Sequence, residues 1–289
     1  MGFLSKLFGE SKVNVHDRFE LLREAISGTM SNFYLARDKK NGKVVGLKIL
    51  DIEKYEAAEA RFKALGKPGE GEIGKALVHP LIVETYEYGT TTKGEPYVVL
   101  EYLDGPGLNS LIVGKSQPAR GKRLNLIRQA AEALGAVHKA GYIHRDVCPR
   151  NFVAAKDLNS LKLIDFGLTL PAKPEYMQPG NRTGTPNYMS PEVVRRKKTD
   201  HRLDIFSFGV TAYELMAYEL PFPKGNATGM AALNHDKLEP VPLADRCPKV
   251  DPRLAAAILQ CMEALPEKRP QTMDAFLKLI EPVKTEETA

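Results

Sequence analysis

Residues 144–151 read HRDVCPRN, which puts a carboxylate (Asp146), a thiol (Cys148), a guanidinium (Arg150) and an amide (Asn151) into one short stretch. A carboxylate within reach of a hydroxyl can take its proton as that hydroxyl attacks an electrophile. Carboxylate and amide oxygens are also the hard donors that magnesium prefers, usually one or two of them beside phosphate and water. Within the octet, Asp146 and Asn151 carry oxygens of this kind. A lone aspartate more often caps a helix or closes a turn, so the surrounding octet is what makes Asp146 a candidate. Upstream, VVGLKIL sets one cation, Lys48, inside a β-rich run.

Composition narrows the setting for this chemistry. The chain has 289 residues, 43% hydrophobic and 27% charged, the balance of an ordinary globular protein. No apolar run approaches the ~18 residues that span a bilayer, so no transmembrane segment is expected. Cys148, Cys247 and Cys261 are odd in number and widely spaced, with no zinc or disulfide pattern, which points to a reducing cytoplasm. A net charge of +5 is mild, and runs such as Arg195-Arg196-Lys197-Lys198 are short, so no nucleic-acid partner is expected. The N-terminal MGFLSKLFGESK spaces Phe3, Leu4, Leu7 and Phe8 for an amphipathic turn that could dock weakly on a membrane or partner; a frayed terminus fits as well. Its Gly2 lacks the serine or threonine at position six that a myristoylation motif wants.

The first hundred residues read mostly as strands. YLARD and KVVGLKIL flank DKKNGK, whose Asn41-Gly42 is a hairpin signal, and IVETYEYGTTTKGEPYVVLEYL supplies a second pair. One helix is expected between the pairs, over 53–78, with Pro68, Gly69, Gly71 and Gly74 weakening its second half. From about residue 108 the texture turns helical. LNLIRQAAEALGAVH aligns Leu124, Ile127, Ala131, Leu134 and His138 on one face, and HRLDIFSFGVTAYELMAYEL is apolar all round, hence buried. DPRLAAAILQCMEAL opens on an Asp-Pro helix start, and TMDAFLKLI is a last amphipathic helix. The layout is α+β with a β-rich first part and a helical second part.

Taken in order, VVGLK, HRDVCPRN, DFG, GTPNYMSPE, ELPFP and PEKRP resemble the signatures of eukaryotic-type (Hanks-type) serine/threonine protein kinases. The resemblance implies a two-lobed protein-kinase-like fold over 17–283, with an N-lobe at 17–103 and a C-lobe at 104–283, between tails at 1–16 and 284–289. It implies transfer of the γ-phosphate of MgATP to hydroxyls of a protein substrate. Lys48 would grip the α- and β-phosphates and pair with Glu70 (Glu72 is the runner-up), Asp146 would orient the hydroxyl, and Asn151 and Asp165 would hold Mg2+. The adenine would meet the main chain at Glu101 and Leu103, beside Leu100. Thr185 would bond within the catalytic loop and favour serine or threonine acceptors. Asp204 would support the loop, and Glu192 and Arg269 would form a buried pair.

Three departures from the family pattern bear on activity. The phosphate-covering loop, Ile26-Ser27-Gly28-Thr29-Met30-Ser31-Asn32-Phe33, keeps one glycine of three, and Phe33 replaces a valine. Glycines let a backbone approach phosphate closely, so their loss should weaken or reshape nucleotide binding. The glycines around Glu70 imply a partly unwound or mobile helix that a partner or substrate orders. Cys148 stands where serine/threonine kinases carry a lysine; a thiol cannot replace that charge, but Arg150, placed as in tyrosine kinases, can reach the same phosphate. The alternative reading is a pseudokinase or weakly active kinase that serves as a nucleotide-binding scaffold. For control by phosphorylation, Thr183, Thr169 and Tyr176 are the candidates, with Thr183 preferred.

Overall fold

The computed structural model describes residues 12–23, 26–27, 30–180, 182–222, 235 and 238–288. The chain divides into two compact units, residues 1–104 and 105–289.

The first unit holds β1 (Lys12–Val13), α1 (Val15–Arg18), β2 (Phe19–Leu21), β3 (Ile26–Ser27), β4 (Ser31–Asp38), β5 (Val44–Leu50), α2 (Ile52–Glu59), α3 (Glu70–Ala76), β6 (Thr85–Thr91) and β7 (Pro96–Glu101). They build one sheet in the order β1-β6-β7-β5-β4-β2, with β3 also on β4. The β4–β5 hairpin turns at Asn41-Gly42, where Gly42 has φ 75° and its amide donates to Asp38 O at 2.7 Å. Side chains alternate along a strand. On β5, Val45 and Leu47 therefore enter a core with Phe19, Ala36, Tyr97 and Val99, while Gly46 and Lys48 take the other face, opposite Phe33 of β4.

Two expectations need correcting in this unit. The helix expected over 53–78 is broken: α2 stops at Glu59, a 3-10 stretch runs Ala60–Leu65, and Gly66 turns left-handed at φ 61°. Pro68 disfavours helix just before it, and α3 restarts after Gly69 as a regular seven-residue helix. The sheet also takes in residues upstream of 17, since Lys12 and Val13 pair in parallel with Thr90 and Thr91. Arg18 fastens that entry by bonding Glu87 at 2.6 Å and Asp38 at 2.9 Å.

The second unit comprises α4 (Leu108–Val113), α5 (Arg123–Lys139), β8 (Tyr142–Ile143), β9 (Phe152–Ala154), β10 (Leu161–Leu163), β11 (Leu170–Pro171), α6 (Pro191–Val194), α7 (Arg202–Ala217), α8 (Leu243–Arg246), α9 (Pro252–Cys261) and α10 (Met273–Leu279). Helix α7 is buried on nearly every side, as its apolar sequence requires. The expected face of α5 is buried at Leu124, Ile127, Ala131 and Leu134. Asp251 caps α9 by accepting from Arg253 N at 2.9 Å, with Pro252 in the first turn. Short antiparallel pairs β8–β11 and β9–β10 bracket the loop 144–151. Among the described residues, no helix is long and apolar enough to cross a membrane.

The C-terminal stretch expected to be a tail is fastened through residue 288. Glu286 is 4% exposed and accepts from Arg123 Nε and Gly121 N, both at 2.7 Å, so it neutralises a buried guanidinium beside the start of α5. A second buried pair joins Arg269 to Glu192 by two parallel bonds of 2.8 and 2.9 Å; Arg269 also donates to Glu263 O and Arg202 O. Removing one member strands a buried charge. Arg269→Ala should lower unfolding free energy by about 3–5 kcal/mol in urea titration; a loss under about 1 kcal/mol would assign the pair to the surface class.

Candidate active site

The loop 144–151 takes its shape from Asp204, near the start of α7 and wholly buried. Its carboxylate accepts from His144 N and Arg145 N, both at 2.8 Å, and from His138 Nε2 at 2.9 Å. Burial alone would raise its pKa, but these bonds hold it below the usual carboxylate range. Arg145 is thereby kept at φ 70°, a left-handed conformation that costs a non-glycine residue about 1–3 kcal/mol. His144 bridges onward: its Nδ1 takes Asp146 N at 3.3 Å, its Nε2 meets Ile164 O at 3.3 Å, and its ring edges against Phe166.

Asp146 follows, half-buried and bonded through both oxygens. Oδ1 accepts from Thr185 N at 2.8 Å and Thr185 Oγ1 at 2.7 Å, and Oδ2 accepts from Asn151 Nδ2 at 3.0 Å. Asn151 Nδ2 also donates to Asp146 O at 2.7 Å. With its nitrogen engaged there, the amide oxygen is the end of Asn151 suited to a cation. Asp165 has φ 65° and accepts from Gly167 N at 3.1 Å; it is exposed, and its carboxylate is the second hard donor in this unit. Two hard oxygens fit the modest protein share of a magnesium shell.

Cys148 and Arg150 both approach the hydroxyl of Thr185. Arg150 is exposed and its Nη2 donates to Thr185 Oγ1 at 3.2 Å, so the cation shares the hydroxyl that fixes Asp146. The Cys148 thiol is 1% exposed and lies 3.7 Å from the same Oγ1. Burial first, then the Asp146 charge, push its pKa up, so it is a poor nucleophile at neutral pH. Gly184, unremarked in the sequence, is what lets Thr185 come so close: it sits at φ 125°, and a Cβ there would stand 2.8 Å from Arg145 O. Of the three phosphorylation candidates, Thr169 is wholly buried against His144 O and Tyr176 is 5% exposed, whereas Thr183 is half-buried.

In the first unit, Lys48 Nζ meets Glu70 Oε1 at 2.6 Å, with side chains 12% and 7% exposed. Glu72, one turn-step on, faces solvent. Phe33 stands opposite Lys48, and its ring fills the place where a side chain on Gly46 would project: an added Cβ would lie 2.7 Å from Phe33 Cζ. The bulk gained at Phe33 is thus offset by the bulk missing at Gly46, a compensation that counting toward a motif does not reveal. Glu101 ends β7 and Leu103 follows it. Ile26 pairs with Phe33 through the main chain. Gly28 and the N-terminal segment through residue 11 lie outside the described residues.

All three cysteines are free and buried. A thiol reagent at neutral pH should therefore label none of them in the native protein and all of them in denaturant; fast native labelling of Cys148 would contradict the geometry of the loop.

The chain matches the model of the protein kinase domain family over residues 19–278. It is 34% identical over 267 residues to the serine/threonine-protein kinase PknB of Mycolicibacterium smegmatis, covering 90% of this chain and 42% of that protein. It is 31% identical over 271 residues to the serine/threonine-protein kinase pkn3 of Myxococcus xanthus, covering 90% and 48%. With PknB of Mycobacterium tuberculosis it shares 32% over 267 residues, covering 90% and 42%. The chain thus spans less than half the length of these curated relatives. A family match across most of the chain and these identities lead to one conclusion: the chain belongs to the protein kinase family.

Proposed function

We propose that this chain is a serine/threonine protein kinase that transfers the γ-phosphoryl group of MgATP to a hydroxyl of a protein substrate. The observation that carries the reading is the fixation of Asp146 by Thr185 and Asn151, with Arg150 on the same threonine. Asp146 aims one carboxylate at an incoming hydroxyl and takes its proton as transfer proceeds. Lys48, oriented by Glu70, would neutralise charge on the α- and β-phosphates. Asn151 and Asp165 would hold magnesium, whose charge would offset that of the phosphates. Glu101 and Leu103 would offer their main chain to the adenine, with Ile26, Gly28 and Phe33 covering the nucleotide. Thr185, rather than a bulkier acceptor-binding arrangement, supports serine and threonine as targets.

Arg150 is the cation we assign to the transferring phosphate in place of the lysine that Cys148 displaces. Free, buried cysteines and an ATP-dependent reaction support work in the cytoplasm. Thr183 is the site we assign to activating phosphorylation, since Thr169 and Tyr176 are buried in the fold.

Replacement tests this division of labour. Arg150→Ala should lower kcat on the order of 10²–10³-fold, as loss of a single transition-state donor does elsewhere. Cys148→Ala should leave turnover close to wild type. A large loss in Cys148→Ala with little in Arg150→Ala would overturn the assignment.

A further inference from the structure

Helix α3 carries Glu70 at its first position and then places Gly71 and Gly74 on the side that meets β6. A Cβ added to Gly71 would stand 2.6 Å from Tyr88 Cγ, at the root of the ring. One added to Gly74 would fall on Thr85 Oγ1 and lie 3.4 Å from Thr85 Cβ. Tyr88 is met at the base of its side chain, and Thr85 is a stiff β-branched side chain 3% exposed. Among the described residues, Thr85 Oγ1 is buried with no hydrogen-bond partner.

The two ends of the helix are fastened as well. Lys75 Nζ donates to the carbonyls of Thr85 and Tyr86, both at 3.1 Å. Just upstream, Lys67 is 4% exposed and meets Glu59 Oε1 at 2.6 Å, which ties the connector back to α2. A seven-residue helix with two internal glycines has little helical tendency of its own, so docking must maintain it.

We propose that Gly71 and Gly74 are positioning residues: they let the backbone of α3 rest against the Thr85 and Tyr88 side chains of β6, which holds Glu70 on Lys48. The glycines that made this helix look loose in the sequence are instead its docking surface. A Cβ at either position would push the helix off the strand and draw the Glu70 carboxylate away from an ammonium that it meets at 2.6 Å. The catalytic consequence rests on the kinase reading; the packing does not.

The test uses Gly74→Ala, Thr85→Ala and the double variant in the full chain, with two readouts. Hydrogen exchange over residues 70–76, without nucleotide, reports the docking. The kcat and KM for MgATP report the positioning, each scaled to folded protein. Alanine favours helix, so a role confined to helix propensity predicts slower exchange in Gly74→Ala. Our proposal predicts faster exchange, a raised KM for MgATP, and kcat/KM lowered on the order of 10²-fold, the cost of a misplacement of about 1 Å. Adding Thr85→Ala removes Oγ1 and leaves Cβ at 3.4 Å, so the double variant should regain slow exchange and most of the activity. Should Gly74→Ala fail to fold, recovery of a folded, slowly exchanging double variant supports the proposal, and failure of the double variant overturns it. Unchanged exchange and kinetics in Gly74→Ala, or a loss that Thr85→Ala does not rescue, also overturns it. A wild type that phosphorylates nothing would sink the kinase reading alone, and the exchange data would still decide the packing.

Discussion

Asp204, wholly buried on α7, accepts from two consecutive amides of the catalytic loop and from His138, and the turn that presents Asp146 lasts only while those bonds do. An ionised carboxylate is expensive to bury. It is kept here because each oxygen meets donors whose own alternatives are poor: loop amides sealed from water and a histidine on α5. In return the loop accepts a left-handed Arg145, an arrangement that strands or helices would refuse. Everything assigned to catalysis in the second unit hangs from that turn. Asp146 points to Thr185, Thr185 reaches it past Gly184, and Asn151 closes the other side.

Where the chain departs from the usual kinase pattern, the changes come in compensating pairs. Arg150, to which the proposed reading gives the role of the lysine missing at Cys148, reaches the same threonine as the thiol. The enlargement at Phe33 is matched by Gly46 beneath its ring. The glycines of α3 are matched by Thr85 and Tyr88, which occupy the room they leave. Paired changes of this kind preserve a volume or a charge while altering which residue supplies it, which is how packed interiors tolerate substitution.

Much of the second unit could be read directly from residue order. The octet, the apolar wrap of α7 and the Asp-Pro start of α9 are local signals, and local chemistry produces them. The hairpin at Asn41-Gly42 is equally local. What escaped is non-local. Nothing in PGEGEIG says that its glycines meet a strand more than ten residues later, so a break in helix propensity looked like looseness. Lys12 and Val13 join the sheet through a partner some eighty positions away, and Glu286 answers Arg123 across most of the second unit. Gly46 and Gly184 became meaningful only once their neighbours were in place.

The reading of this chain as a working phosphotransferase stands or falls with Asp146, which makes one comparison decisive. Wild type and Asp146→Asn, matched for fold by thermal unfolding, would be incubated with labelled ATP, magnesium and a generic protein substrate. Incorporation by wild type on serine or threonine, with Asp146→Asn at background, is the result expected from the geometry. Equal incorporation by the two proteins, whether at background or above it, would contradict it.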